Sequence, residues 1–335
     1  MTRWVKVPAL SLVAALLGNA PWQPKTPPPL EAKPLVDAQA GAAMLAAPIE
    51  GMVFLALATI DVGSGAQEQL TAFDLCRTEP LGAACSKEQF AGEGRLDFGG
   101  NGALVVSPTT STVTVPGFWL DRTEVAVGDY ARCVESAECR RAAFDPGDPK
   151  HDRADLPVTL IGWEDAKRYC AWRGKRLPTE IEWERAARGP TGRRFPWGML
   201  GNPRLANHGT LDGGSVFVPN DPKKYDCAGC FVVGVGDPSD GFAGLAPVGS
   251  FPAGRTPDGV ADLAGNAAEW VEDGWTFAHA APGSGIAPSG SLHVVKGGSY
   301  RLPAVSSRGA AREGRPAAAR DPDLGFRCAR DPSSP

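Results

Sequence analysis

The chain of 335 residues carries 34 basic and 38 acidic side chains, a net charge of -4, and could hold one large domain or two small ones. Without a basic excess or stripe there is no footprint for a nucleic-acid partner. Its 41 glycines and 31 prolines argue for a loop-rich fold of short elements rather than a helical bundle, while 43% apolar residues suffice for a core.

The amino terminus reads as an export signal. Arg3 and Lys6 precede an apolar run of 12 residues, Val7 to Gly18, whereas a bilayer span needs about 20. Gly18-Asn19-Ala20 offers small residues for cleavage, although Pro21 would hinder the cut. The alternatives are an uncleaved membrane anchor or a misplaced start; no nearby cysteine offers a lipid attachment. This signal-like segment, residues 1–20, leads into a linker rich in Pro and Ala, 21–47. Residues 48–335 read as the domain proper.

Gly51 to Ser64 has the β-branched and aromatic content of a strand that turns at Gly63. Residues 65–111 show no sustained period and read as an irregular insertion. Val113 to Leu120 alternates like a strand and leads into a helix near Val127 to Val134. Trp163 to Trp172 has mixed helical spacing, with Gly174 suited to a left-handed stop. Thr179 opens a second helix as a capping box with Glu182, and Gly189 ends it. Beyond residue 190 loops dominate, with strands expected at Leu292 to Lys296 and Gly325 to Ala329.

Eight cysteines behind a signal-like segment favour disulfides and an exported protein, secreted or in the cell envelope. Local spacing suggests Cys76 with Cys85, Cys133 with Cys139, and Cys227 with Cys230, leaving Cys170 and Cys328. Spacing alone leaves the connectivity open. Cys227-Ala228-Gly229-Cys230 has no helix flank for a redox couple and no second pair for zinc, so a small disulfide staple is the favoured reading over either.

FWLDRTEVAVGDY at Phe118 to Tyr130, LPVTLIGWEDAKRYCAWRGKRLPTEIEWERAARG at Leu156 to Gly189, FPWG at Phe195 to Gly198, DLAGNAAEW at Asp262 to Trp270, KGGSY at Lys296 to Tyr300 and LGFRC at Leu324 to Cys328 occur in a fixed order. Together they resemble the formylglycine-generating enzyme (sulfatase-modifying factor) family. The resemblance implies an α+β, C-type-lectin-like fold, loop-rich and poor in regular structure. It also implies a Cys170–Cys328 disulfide.

Two calcium sites are a further implication. The first would use Asp262 and Glu269 side chains with the carbonyls of Gly265 and Ala267; the second, Asn207 and Asp240 with the carbonyls of His208 and Phe242. Hard oxygen donors of this kind suit calcium, though an Asp/Gly-rich turn can also satisfy itself through its own backbone.

The family's oxidase converts a substrate cysteine to formylglycine with copper held by two cysteines, three and eight residues beyond the GGS triplet. Here those positions are Leu302 and Ser307. Soft Cu(I) needs thiolate ligands, so no copper and no family oxidase chemistry are expected. Ala268 departs as well, standing where the family commonly has Trp in the substrate groove. Four histidines, His151, His208, His279 and His293, show no i, i+4 pair, which disfavours the iron chemistry of related domains. Arg308, Arg312, Arg315, Arg320 and Arg327 read as solvated charges paired with local acids, or alternatively as a carboxylate-recognition patch.

The expectation is a secreted, calcium-stabilised, non-catalytic module that binds a peptide, protein or glycan in or near the groove around Gly297 to Ser307. The rival is a divergent metal-dependent oxidoreductase; a third reading is a passive envelope module tethered by residues 1–47. Membrane contact is expected only through an uncleaved N-terminal segment.

Overall fold

The computed structural model describes residues 48–78, 95–97, 103–106, 110–210, 216–217, 232–275 and 292–332. Short helices and short strands are joined by long stretches of turn and loop, the α+β architecture that the glycine and proline content implies.

The strand predicted over Gly51 to Ser64 is two strands, Met52–Leu55 and Ala58–Val62. Breaking the run lets the chain serve two sheets: Met52–Leu55 pairs with Phe118–Asp121, and Ala58–Val62 with Ser111–Val115. The prediction over Val113 to Leu120 is split for the same reason at Pro116-Gly117, where proline has no N–H to give a ladder. Gly325 to Ala329 also divides. Leu324–Phe326 pairs in parallel with Ala268–Gly274, whereas Ala329–Arg330 pairs with Phe118–Asp121.

The segment expected to be irregular, 65–111, contains helix α1 (Ala66–Arg77) and the strands Arg95–Asp97 and Ala103–Val106. Helix α1 is polar enough to hide its period. Tertiary contacts hold it instead: Ala72 is buried, and Glu68 pairs with Arg188 at 3.0 Å and Arg308 at 3.3 Å.

Helix α2 (Val127–Glu135) buries Val127, Tyr130 and Cys133 on one face, and Cys133 bonds to Cys139. Helix α3 (Trp163–Trp172) buries Trp163, Ala166, Tyr169 and Cys170; Gly174 takes the left-handed stop at φ +65°. Helix α4 (Glu180–Arg188) begins at the predicted capping box. The Glu182 amide donates to Thr179 Oγ1 at 3.2 Å, and the Thr179 amide donates to Glu182 Oε2 at 2.8 Å.

The largest sheet runs in the order Leu324–Phe326, Ala268–Gly274, Leu292–Lys296, Ala311–Pro316, Ala103–Val106, Arg95–Asp97. Its strands Ala268–Gly274 and Ala311–Pro316 were not expected from sequence. Cys170 and Cys328 form a disulfide with a Cα separation of 5.6 Å, tying α3 to the link between Leu324–Phe326 and Ala329–Arg330 across 158 residues. The chain-entropy model values so long a closure at about 4–5 kcal/mol. The pairings expected for Cys76 with Cys85 and for Cys227 with Cys230 lie outside the described residues.

Candidate functional site

Three loops interlock at the edge of the large sheet. The Gly265 amide donates to the Gly297 carbonyl at 2.8 Å, Asn266 N to Asn207 O at 2.6 Å, Tyr300 N to Asn266 O at 2.9 Å, and Gly209 N to Leu302 O at 2.9 Å. Two glycines permit this approach. A Cβ on Gly209 would lie 2.5 Å from the Arg301 carbonyl carbon, and one on Gly298 would lie 2.9 Å from Ser307 Oγ. The GGS turn is therefore a backbone-to-backbone clamp on the loop that carries Leu302 and Ser307.

Both of the positions singled out in that loop are buried. Leu302 is 8% exposed and Ser307 2% exposed. Ser307 closes a one-turn 3-10 helix, Ala304–Ser307, and is followed by Arg308, whose Nε donates to the Val305 carbonyl at 3.0 Å. Burial pushes the Arg308 guanidinium down to about 10, with Glu68 opposing the shift. It stays charged at neutral pH and fastens the loop to α1.

A cavity of about 400 Å³ opens beside this loop. Phe195, Trp197, Ala206, His208, Asp237 and Ser307 are among its lining residues. The Phe195 and Trp197 rings stack with centroids 5.2 Å apart and planes 4° from parallel. Trp197 Nε1 donates to the Leu200 carbonyl at 2.9 Å, fixing the indole. His208, 7% exposed, sets its Nδ1 2.9 Å from the Gly209 carbonyl. A carbonyl only accepts, so Nδ1 carries a proton. Neither His208 Nε2 nor Ser307 Oγ has a hydrogen-bond partner among the described residues. Each buried orphan of this kind costs about 1–3 kcal/mol.

The residues named for the first calcium site fall into a buried polar cluster. Glu269 Oε1 accepts from Arg327 Nη2 at 2.7 Å, and Oε2 accepts from Arg327 Nε at 2.7 Å and Trp183 Nε1 at 2.8 Å. Asp262 Oδ2 accepts from the Gly249 amide at 2.5 Å, while its carbonyl accepts from Arg327 Nη2 at 3.2 Å. Ala267 is buried, and Gly265 packs on Asn207. Burial pulls the Arg327 guanidinium down, but Glu269, Glu124 and Asp262 together hold it above its ordinary value. The positive charge facing Glu269 is thus Arg327, and three of the carboxylate's about four acceptor sites are taken by Arg327 and Trp183.

The second set fits a hard cation better. The Asp240 carboxylate accepts from the His208 amide at 3.1 Å and the Phe242 amide at 2.9 Å, and the His208 carbonyl accepts from the Asp237 amide at 3.2 Å. Asn207 Nδ2 donates to Gly244 O at 2.8 Å and Asn266 Oδ1 at 3.0 Å, which leaves Asn207 Oδ1 buried and unpaired. Calcium accepts amide oxygens of this type.

The arginine run is internal. Arg312 pairs with Glu180 at 2.6 Å, Arg315 with Glu313 at 2.8 Å and with Asp321, Arg320 with Asp165 at 2.5 Å, and Arg327 with Glu269. Arg308, Arg312, Arg315 and Arg327 are buried, so they are structural ion pairs and not solvated charges. Of the other histidines, His151 lies 3.2 Å from Thr159 Oγ1 and His293 stacks on Trp163 at 3.9 Å; His279 lies outside the described residues. Among the described residues no three His, Cys, Asp or Glu side chains are grouped to hold a metal ion. The sequence suggested only a carbonyl role for His208 and no role for Phe195 or Trp197, because the cavity walls come from segments as far apart as Leu75 and Ser307.

The family model described as "Sulfatase-modifying factor enzyme 1-like domain" matches residues 86–332. Formylglycine-generating enzyme of Bos taurus is 38% identical over 186 residues, 53% of this chain and 45% of that protein. Inactive C-alpha-formylglycine-generating enzyme 2 of Bos taurus is 35% identical over 203 residues, 58% of this chain and 57% of that protein. The chain spans about half the length of these relatives. The solved structure of PvdO from Pseudomonas aeruginosa superposes with a TM-score of 0.54 at 23% identity, covering 84% of this chain and 94% of that one, a likeness of fold. With the ordered motifs, the α+β fold and a family match from residue 86 to 332, this chain belongs to the sulfatase-modifying factor enzyme 1-like domain family.

Proposed function

We propose that the protein is a non-catalytic member of its family that serves as a ligand-binding module. The observation that carries this reading is the pair Leu302 and Ser307 at the positions where the family chemistry needs thiolates. Leucine has no donor atom, and a neutral serine hydroxyl is a hard, weak ligand for Cu(I). The relatives include proteins named as inactive, in keeping with a scaffold used without its oxidase. The ligand site would be the cavity beside Ser307, which has the size of small-ligand sites, about 300–1,000 Å³.

Two finer features belong to the same reading. Calcium would be held by Asn207 and Asp240 with the carbonyls of His208 and Phe242, supported by the orphaned Asn207 Oδ1. Export to an oxidising compartment is supported by the Cys133–Cys139 and Cys170–Cys328 disulfides. Competition against a Cu(I) chelator tests the central point. The wild-type chain should surrender all copper, whereas a Leu302→Cys/Ser307→Cys variant should retain it; retention by the wild type would refute the reading.

A further inference from the structure

We propose that the loop Gly198 to Gly201, with the adjoining part of helix α1, docks on the surface of an anionic lipid bilayer. Met199 and Leu200 enter the interface, and Arg194 and Arg204 meet the headgroups. This contact goes beyond the ligand reading and does not depend on it.

Exposed apolar residues are not scattered over this molecule. Among the described residues four large ones are exposed, Leu57, Leu70, Met199 and Leu200, and three of them belong to α1 and the loop packed on it. Arg194 joins the two. Its Nη1 donates to the Met199 carbonyl at 2.6 Å, and its Nη2 donates to Thr71 Oγ1, next to Leu70, at 3.2 Å. Gly201 follows the tip and packs on α1 one turn further along, where a Cβ would lie 3.6 Å from Leu75 Cδ2. Leu200 is 81% exposed and Met199 51%, so neither contributes much to the core. Grouped apolar exposure of this kind marks a surface that meets a protein or a membrane.

Shape and backbone chemistry favour the membrane. Residues 199–204 are exposed in unbroken succession, and Met199 and Leu200 stand outside the cavity that Trp197 and Gly201 line. A projecting tip needs a matching cleft on a protein, whereas a bilayer yields to it. Lipid in turn demands that the backbone carbonyls it covers be satisfied from within the protein. The Gly198 carbonyl accepts from the Phe195 amide at 2.8 Å, the Met199 carbonyl from Arg194, and the Leu200 carbonyl from Trp197 Nε1 at 2.9 Å. All three acceptors at the tip are thus filled by the loop itself. Trp197, half-buried and stacked on Phe195, is the kind of side chain that suits the boundary between headgroups and acyl chains.

Charge gives the sign of the surface. Residues 190–205 hold Arg193, Arg194 and Arg204 and no acid. The hydrogen bonds of Arg194 go to neutral oxygens, and Arg204 is exposed with no ion pair among the described residues. On α1 the exposed Asp74 and Arg77 offset each other. Each uncompensated arginine adds attraction to an anionic leaflet, and salt screens it.

The test is flotation of the full chain with vesicles of phosphatidylcholine alone and of phosphatidylcholine mixed with phosphatidylglycerol. The wild type should float with the mixed vesicles and be released as salt rises. Met199→Ser/Leu200→Ser should weaken partitioning about 10-fold, and Arg204→Gln about 3- to 5-fold on the mixed vesicles alone. Both variants alter exposed side chains, so their melting temperatures should match the wild type. The N-terminal segment is the same in all three chains, and the differences between them therefore report the loop. Hydrogen exchange at residues 199–201 should slow on the mixed vesicles. Absence of flotation, or equal flotation of the wild type and the tip variant, would overturn the inference. If the chain instead binds poly-glutamate through Leu200 and ignores both vesicles, the surface belongs to an acidic protein and the membrane assignment falls.

Discussion

Arg327 grips both carboxylate oxygens of Glu269 at 2.7 Å, and neither side chain has any exposed surface. The pair joins the strand Ala268–Gly274 to the link between Leu324–Phe326 and Ala329–Arg330, and Trp183 of α4 donates a third hydrogen bond to it at 2.8 Å. Removing one partner leaves a buried charge without compensation, which costs about 3–5 kcal/mol. Glu269→Ala and Arg327→Met should each lower the melting temperature strongly, in calcium and in chelator alike. A loss seen only in calcium would mean that Glu269 serves a metal rather than Arg327.

The second oxygen cluster should behave differently. Calcium binding to Asn207 and Asp240 predicts that chelation lowers the melting temperature of the wild type, since a ligand bound only by the folded state stabilises it by mass action. Asp240→Ala should lower the melting temperature and abolish the response to chelator. Calorimetry with and without chelator reads both effects, and a wild type indifferent to chelator would count against the site.

Cys170 and Cys328 span 158 residues, and their bond should be the largest single restraint on the unfolded chain. The double variant Cys170→Ala/Cys328→Ala should lose about 2–5 kcal/mol in denaturant unfolding. The six-residue link Cys133–Cys139 should matter less, because it closes a much shorter loop.

Asp273 supplies the pH dependence. Burial and the nearby Glu180 raise its carboxyl from 3.8 to about 6, against hydrogen bonding from the Glu180 amide and attraction by Arg312. A raised folded-state value means that the native state holds the proton more tightly. Its stabilisation is complete below pH 3.8 and lost as pH rises through about 6. Asp273→Asn keeps an acceptor for the Glu180 amide and removes the titration. The melting temperature of the variant relative to wild type should therefore be more favourable at pH 7 than at pH 4. The reverse order would show that Asp273 is charged to advantage in the folded state.

Legibility in the sequence followed locality. The capping box at Thr179 and Glu182, helix α3 and the strand Leu292–Lys296 were read within one or two residues, because each is encoded by neighbours in sequence. The strands Ala268–Gly274 and Ala311–Pro316 were not. Their buried positions carry Glu269, Arg312, Glu313 and Arg315, charged residues whose partners lie on other segments, so no apolar alternation marks them. The same burial turned the arginine run from a solvated patch into internal pairs. Leu302 and Ser307 were visible at once as departures from a motif. A groove near them was expected from the resemblance, but its other walls were not, because Trp197, His208 and Ser307 line one cavity only in the folded chain.

The most direct test of the account is product analysis. The full chain, supplied with copper and oxygen, is incubated with a cysteine peptide that an active family member converts, and the peptide is weighed by mass spectrometry. Leu302 and Ser307 in place of the two thiolates predict an unchanged peptide at every time point. Conversion of its cysteine to formylglycine would contradict the non-catalytic reading outright.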